Sequence, residues 1–462
     1  MAKAAEPAAS ADVLFGAPGA AWRPYQMFLL GVLLLVAMSS YLDRQIMSLL
    51  QEAIKKDLLL SDWELGLVSG PAFALLHSIA GLPMARLAER MNRPRLLSAA
   101  IVVWSTMTAF CALATNFVML GLGRMGVGMG EGGCNPICHA LVADNFSVRQ
   151  RGKAMAVLSA ASPLAAIFAP LIAGAVALTW GWRAAFVVVG LPGLLLAVLV
   201  WFTLKEPRAA RTADSPPARS FATDLKWLLG NRAFVFVFLA GAFQGIGVQG
   251  TGIFTASFVM RAYHLNIAEA GGILSFRGLA SLGATALGGY LADRFAGPRG
   301  RSYVLVPCMG AALAFSFFFW AFTATHAVIS IGLLMAGACA AELKNGPNFA
   351  AIQNMVPSHM RSTAVAVFFL AATVVGTAVG ASLVGGISDM TAARVFPANL
   401  GDYAAFCPGG RSIASAGPAA AAACATASAE GLRTALAAIS FAFLGSSICF
   451  FLASRKITIN TD

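Results

Sequence analysis

Residues 85–90 read Ala-Arg-Leu-Ala-Glu-Arg, and residues 289–294 return the pattern as Gly-Tyr-Leu-Ala-Asp-Arg. Two further echoes follow in the same order. Arg151-Gly152-Lys153-Ala154-Met155-Ala156-Val157 matches Arg361-Ser362-Thr363-Ala364-Val365-Ala366-Val367, and Glu131 with Pro136 matches Glu342 with Pro347. Three matches at nearly one offset mark an internal duplication. Each lies in or beside a long apolar run, so the repeated unit is a bundle of such runs.

Composition says where the bundle resides. Of 462 residues, 58% are hydrophobic and 11% charged, with a mean hydropathy of +0.76. Soluble domains carry about 25% charge. The runs are continuous rather than alternating, which selects helices over a barrel. Spans are expected at 25–50, 62–85, 95–115, 118–141, 153–178, 184–204, 233–260, 267–291, 302–322, 327–353, 364–387 and 432–453, each near the ~20 residues a bilayer requires. Ser61 and Glu64 form a capping box at the second. The first 22 residues lack the form of a cleaved signal. The expected architecture is an all-α membrane protein of twelve transmembrane helices in two pseudo-symmetric six-helix bundles.

Basic residues orient it. About 21 Lys and Arg fall on one side, in the loops and tails holding Lys3, Arg23, Arg86–Arg95, Arg149–Lys153, Lys205–Arg232, Arg294–Arg301, Arg361 and Arg455–Lys456; about 7 fall on the other. The richer side, with both termini, is expected to be cytoplasmic. The net charge of +12 is therefore a topology signal rather than a nucleic-acid footprint. The expected order is a tail (1–23), a first bundle (24–204), a linker (205–232), a second bundle (233–454) and a tail (455–462). In the linker, Ala209–Ala222 reads as mobile, and Phe221, Leu225, Trp227 and Leu228 suit either a surface amphipathic helix or a solvated loop. The Ala/Gly/Ser-rich stretch 388–431 reads as an irregular outer loop. Its Cys407 and Cys424 are either bridged, as an oxidising compartment would allow, or two free thiols.

At these residues the chain resembles the major facilitator superfamily. Ala85–Arg95 is similar to its loop motif between helices two and three, and Trp180-Gly181-Trp182-Arg183-Ala184-Ala185-Phe186 to its entry into helix six. More narrowly, Tyr41-Leu42-Asp43-Arg44, Ser61-Asp62 with Leu65-Gly66-Leu67, and Ala88-Glu89-Arg90-Met91-Asn92-Arg93 resemble the spinster family, with Glu89 and Ala88 departing from its Asp and Gly. The resemblance implies a bacterial inner-membrane carrier of amphipathic lipid, lysolipid or sphingolipid-like, coupled to protons.

Ionisable groups inside spans are costly and mark function. They are Asp43, Arg44, Arg124, Glu131, Arg277, Glu342 and Lys344. Arg124 and Glu131, seven apart, share a helix face that Asn135 and Cys138 are expected to extend. Tyr41, Arg44 and Ser48 share another; Asp43 points about 100° from Arg44, toward Arg124 or the second half. Glu131, with Asp43, is expected to carry protons: burial penalises its charge while a nearby guanidinium stabilises it, so changing access would load and unload it. A permanently ionised brace to Arg44 or Arg124 is the plainer alternative. Arg277 suits a phosphate or carboxylate head group, or a carboxylate across the bundle. Glu342 and Lys344 precede Asn345-Gly346-Pro347, where the helix should bend. Substrate contacts are expected from Tyr41, Arg44, Asn135, Arg277, Glu342 and Lys344. Four bases against three acids favour an anionic head. Glu89, Arg90, Asp293 and Arg294 are expected to form a cytoplasmic gate.

The five histidines are scattered without metal-ligand spacing, which argues against a metal site or a membrane-embedded enzyme. No Gly-Lys-Ser/Thr loop offers an ATP site, and no cofactor is expected. A monomer is expected. A drug or small organic-anion permease is the runner-up.

Overall fold

The computed structural model describes residues 22–206, 221–295, 300–357, 360–413 and 417–456. Among them the regular elements are helices, and no strand occurs. The first half holds α1 (Pro24–Leu58), α2 (Asp62–Ser69), α3 (Pro71–Arg90), α4 (Arg93–Cys111), α5 (Phe117–Glu131), α6 (Cys134–Asn145), α7 (Val148–Ser159) and α8 (Ala161–Thr203). A linker helix follows, α9 (Phe221–Gly230). The second half holds α10 (Arg232–Tyr263), α11 (Ile267–Arg294), α12 (Ser302–Thr323), α13 (Ala327–Glu342), α14 (Asn345–Met355), α15 (Arg361–Leu370), a wide π turn (Ala371–Val375), α16 (Gly376–Val395), α17 (Tyr403–Phe406) and α18 (Pro418–Ser454).

Local chemistry sets many of these boundaries. The Ser61 hydroxyl accepts from Glu64 N–H at 3.1 Å while the Glu64 carboxylate accepts from Ser61 N–H at 2.8 Å, closing the capping box at α2. Within α8, Gly181 sits at φ 81°, a conformation glycine adopts freely. It turns two spans end to end. Nine helical stretches among the described residues are long and apolar enough to cross a bilayer. Dividing one of them at Gly181, and counting α5–α6 and α11 as further spans, would bring these nine to the twelve expected.

The duplication reappears as geometry. Helix α5 ends on Glu131 and α6 resumes at Cys134; α13 ends on Glu342 and α14 resumes at Asn345. In each copy a proline five residues beyond the acid lacks the N–H that would hold the intervening carbonyl. The bend was expected only in the second copy. Its presence in the first interrupts the stripe expected to run from Arg124 through Asn135.

One reading of the connections changes. The stretch 388–431 is not one irregular loop: α16 continues to Val395 and α18 begins at Pro418. Alanine is the best helix former, and Pro418 at the first turn supplies a helical φ. The linker residues 207–220 lie outside the described set. Helix α9 buries Leu228 against Phe234 and Val237 while Trp227 stays exposed.

Cys407 and Cys424 are joined by a disulfide, with Cα atoms 5.7 Å apart. It closes the connection between α17 and α18, where Gly409 packs on the Lys55 carbonyl. Replacing both cysteines by serine should cost about 3 kcal/mol under oxidising conditions, the scale for a loop of this length. Thermal unfolding of the purified protein with and without reductant measures it; an unchanged midpoint would refute the estimate.

The halves meet through small residues. A Cβ on Gly66 would lie 2.5 Å from the Ala381 carbonyl oxygen, and one on Gly271 2.5 Å from that of Pro170. Backbones therefore touch on both seams.

Candidate functional site

A cavity of about 760 Å³ lies between the halves. Tyr41, Arg44, Phe73, His77 and Arg124 line it from the first half, and Gln249, Arg277, Thr285, Glu342 and Asn345 from the second. The charged lining is three guanidiniums and one carboxylate, but two of the guanidiniums, Arg44 and Arg124, have buried acids behind them, so Arg277 is the cation left facing a guest.

Behind the first-half wall sit two buried acid–base pairs. Glu131 is fully buried, and its Oε2 accepts from Arg44 Nε at 2.7 Å and Ser40 Oγ at 2.9 Å, with Arg44 Nη2 also at 2.7 Å. Its Oε1, equally buried, has no hydrogen-bond partner among the described residues. One oxygen is crowded by donors and the other is bare. Asp43 Oδ1 lies 3.4 Å from Arg124 Nη1, and its Oδ2 accepts from Thr108 Oγ1 at 2.5 Å. The adjacent Asp43 and Arg44 thus serve different partners, as their 100° separation requires. Arg124 and Glu131, though on one helix, are each paired across to α1.

On the second-half wall, Arg277 makes no hydrogen bond or ion pair among the described residues. Glu342 accepts from Asn345 Nδ2. Lys344 lies outside the cavity lining and donates from Nζ to the Ala341 carbonyl at 2.9 Å, an oxygen that also accepts from Gln244 Nε2 at 3.2 Å. Asn135, half-buried beyond the break in the first half, is also outside the lining. Of the expected inner-gate charges, Glu89, Arg90, Asp293 and Arg294 are all exposed, and Asp293 accepts from Tyr303 Oη at 2.9 Å within its own half.

The opposite face, assigned to the outside by the charge bias, is closed by a lattice that sequence reasoning missed. Arg261 of α10 donates to both Asp62 oxygens at 2.8 Å and to Glu52 Oε2 at 2.7 Å. Lys55 adds a 2.7 Å bond to Asp62, and Ser388 of α16 donates to it at 2.6 Å. Asp389 accepts from the Asp62 and Trp63 amides at 3.1 and 2.7 Å, so a residue of the second half caps a helix of the first. Beside the lattice, burial pushes the Tyr403 phenol up to about 12, so it stays neutral. The signal available in sequence was an excess of charge near span ends, which resembles ordinary loop charge.

The Major Facilitator Superfamily model matches residues 33–381. An MFS-type efflux pump of Mycolicibacterium smegmatis is 33% identical over 367 residues, 78% of this chain and 83% of that one. A sphingosine-1-phosphate transporter of Danio rerio is 29% identical over 241 residues, 50% of this chain and 47% of that one. Among solved structures, a bacterial homologue of the human lysosomal transporter Spinster, inward-facing and unoccupied, superposes with a TM-score of 0.85 at 26% identity, covering 96% of this chain and 100% of that one.

Proposed function

Because the chain belongs to the major facilitator superfamily, we propose that it carries an amphipathic lipid with an anionic head group by alternating access, driven by protons. The observation that carries this reading is Arg277, a guanidinium that lines the cavity with Glu342 on the same wall and makes no hydrogen bond or ion pair among the described residues. Such a group binds phosphate or carboxylate bidentately. Apolar lining from Met47, Ile253, Leu274 and Leu282 would accept a chain. The likeness to a Spinster homologue and to a sphingosine-1-phosphate transporter supports a lipid. The likeness to an efflux pump, and to a hexuronate transporter of Bacillus subtilis that is 31% identical over 195 residues, 42% of this chain and 44% of that one, supports a drug or small organic anion as the second reading. Glu131, with its bare oxygen, is the proton carrier, and Asp43 its partner site. In the alternate state Glu89, Arg90, Asp293 and Arg294 would close the inner side.

The test is uptake into proteoliposomes under an imposed pH gradient, comparing lysophospholipids, sphingoid phosphates and small organic acids. Saturable uptake of the acids alone would replace the lipid reading with the second. Arg277→Gln should weaken an anionic lipid by about 10–100-fold, the range for losing hydrogen bonds to a charged group, and leave a neutral monoacylglycerol unaffected. Equal losses for both would remove Arg277 from head-group recognition.

A further inference from the structure

Phe73, at the third position of α3, has charged groups on several sides. The Arg44 and Arg124 guanidinium carbons lie 5.0 and 5.1 Å from its ring centroid. His77, one turn on, stacks against the same ring at 5.2 Å and 23°. Each guanidinium belongs to a different buried acid, Glu131 or Asp43. An aromatic face attracts cations, more strongly away from water. One ring therefore touches the cation of both buried acid–base pairs.

The backbone beneath the ring is fixed at both ends. A Cβ on Gly128 of α5 would lie 2.5 Å from the Phe73 carbonyl oxygen. Upstream, Gly70 separates α2 from α3, and Cβ atoms on Gly66 and Gly70 would lie 2.5 and 2.7 Å from the Ala381 and Thr377 carbonyls. At the start of α2 stands Asp62, the centre of the outer lattice. A single short segment, Asp62 to Phe73, joins the outer closure to the ring.

We propose that Phe73 is the positioning residue that ties the outer closure to the two buried acid–base pairs. When the Asp62 end of α2 leaves Arg261, the ring moves with it and releases Arg44 and Arg124. Conversely, neutralising Glu131 removes the charge that holds Arg44, shifts the guanidinium toward the ring and loosens the outer lattice. The inference rests on the reading of Glu131 as proton carrier.

The test uses the full chain in nanodiscs, with spin labels on Leu113→Cys and Val328→Cys, exposed outer positions on opposite halves. Trifluorophenylalanine at position 73 keeps the ring's shape and weakens its negative face. With the native ring, Glu131→Gln should raise the population with long outer distances about fivefold, a change on the scale of one cation–π contact. With the fluorinated ring the same substitution should change it less than about twofold, while Phe73→Tyr keeps the native response. An undiminished response in the fluorinated protein overturns the proposal and leaves the Glu131 reading intact. No response even with the native ring overturns both.

Discussion

Proteoliposomes carrying Glu131→Gln should fail to accumulate substrate against a pH gradient, yet still exchange it at equilibrium. The amide can accept at the crowded site, where Arg44 and Ser40 converge, and it places an NH₂ where Oε1 has no partner. It therefore imitates the protonated acid permanently. Loss of proton loading removes the drive and spares the path, so gradient-driven accumulation should fall by more than about tenfold, equivalent to about 1.4 kcal/mol of coupling. Exchange of preloaded substrate is the control for folding. Undiminished gradient-driven uptake would remove Glu131 from the coupling role.

Arg261→Met should have the second large effect, and at a different place. It deletes the pivot that holds Glu52 and Asp62 of the first half against the second. Removing one member of a buried pair costs about 3–5 kcal/mol, because the remaining charges stay buried. Here the cost falls on the outer-closed state alone, since opening exposes Glu52 and Asp62 to water. The outward-open population should rise by about a hundredfold or more. Labelling of a cysteine placed among the outer lattice residues would detect it; labelling at the native rate would show that Arg261 does not hold the closure.

The sequence was legible where physics acts locally. Long apolar runs, the duplication and the basic-residue bias depend on neighbouring residues, and they led to the fold. The membrane-embedded charges were found singly, because an ionisable group in a bilayer is conspicuous. Their partners were less legible. Arg44 with Glu131 and Arg124 with Asp43 depend on how α1 and α5 are rotated, which spacing within one helix does not determine. The outer lattice was illegible for a stronger reason. Asp62 and Arg261 are 199 residues apart, and each by itself looks like a charge at a membrane boundary. Pro136 carries the same signal for a break as Pro347, yet the bend was expected only at the second.

Asp389 accepting from the amides of Asp62 and Trp63 has a consequence for biosynthesis. Helix α2 is made early, and the carboxylate that completes its first turn is made more than three hundred residues later. While the ribosome is still extending the chain, those two amides have only water or lipid head groups to bind. The first half can therefore insert on schedule but reaches its final form only when α16 arrives. Two halves expressed as separate polypeptides should each insert, and should mature only after meeting.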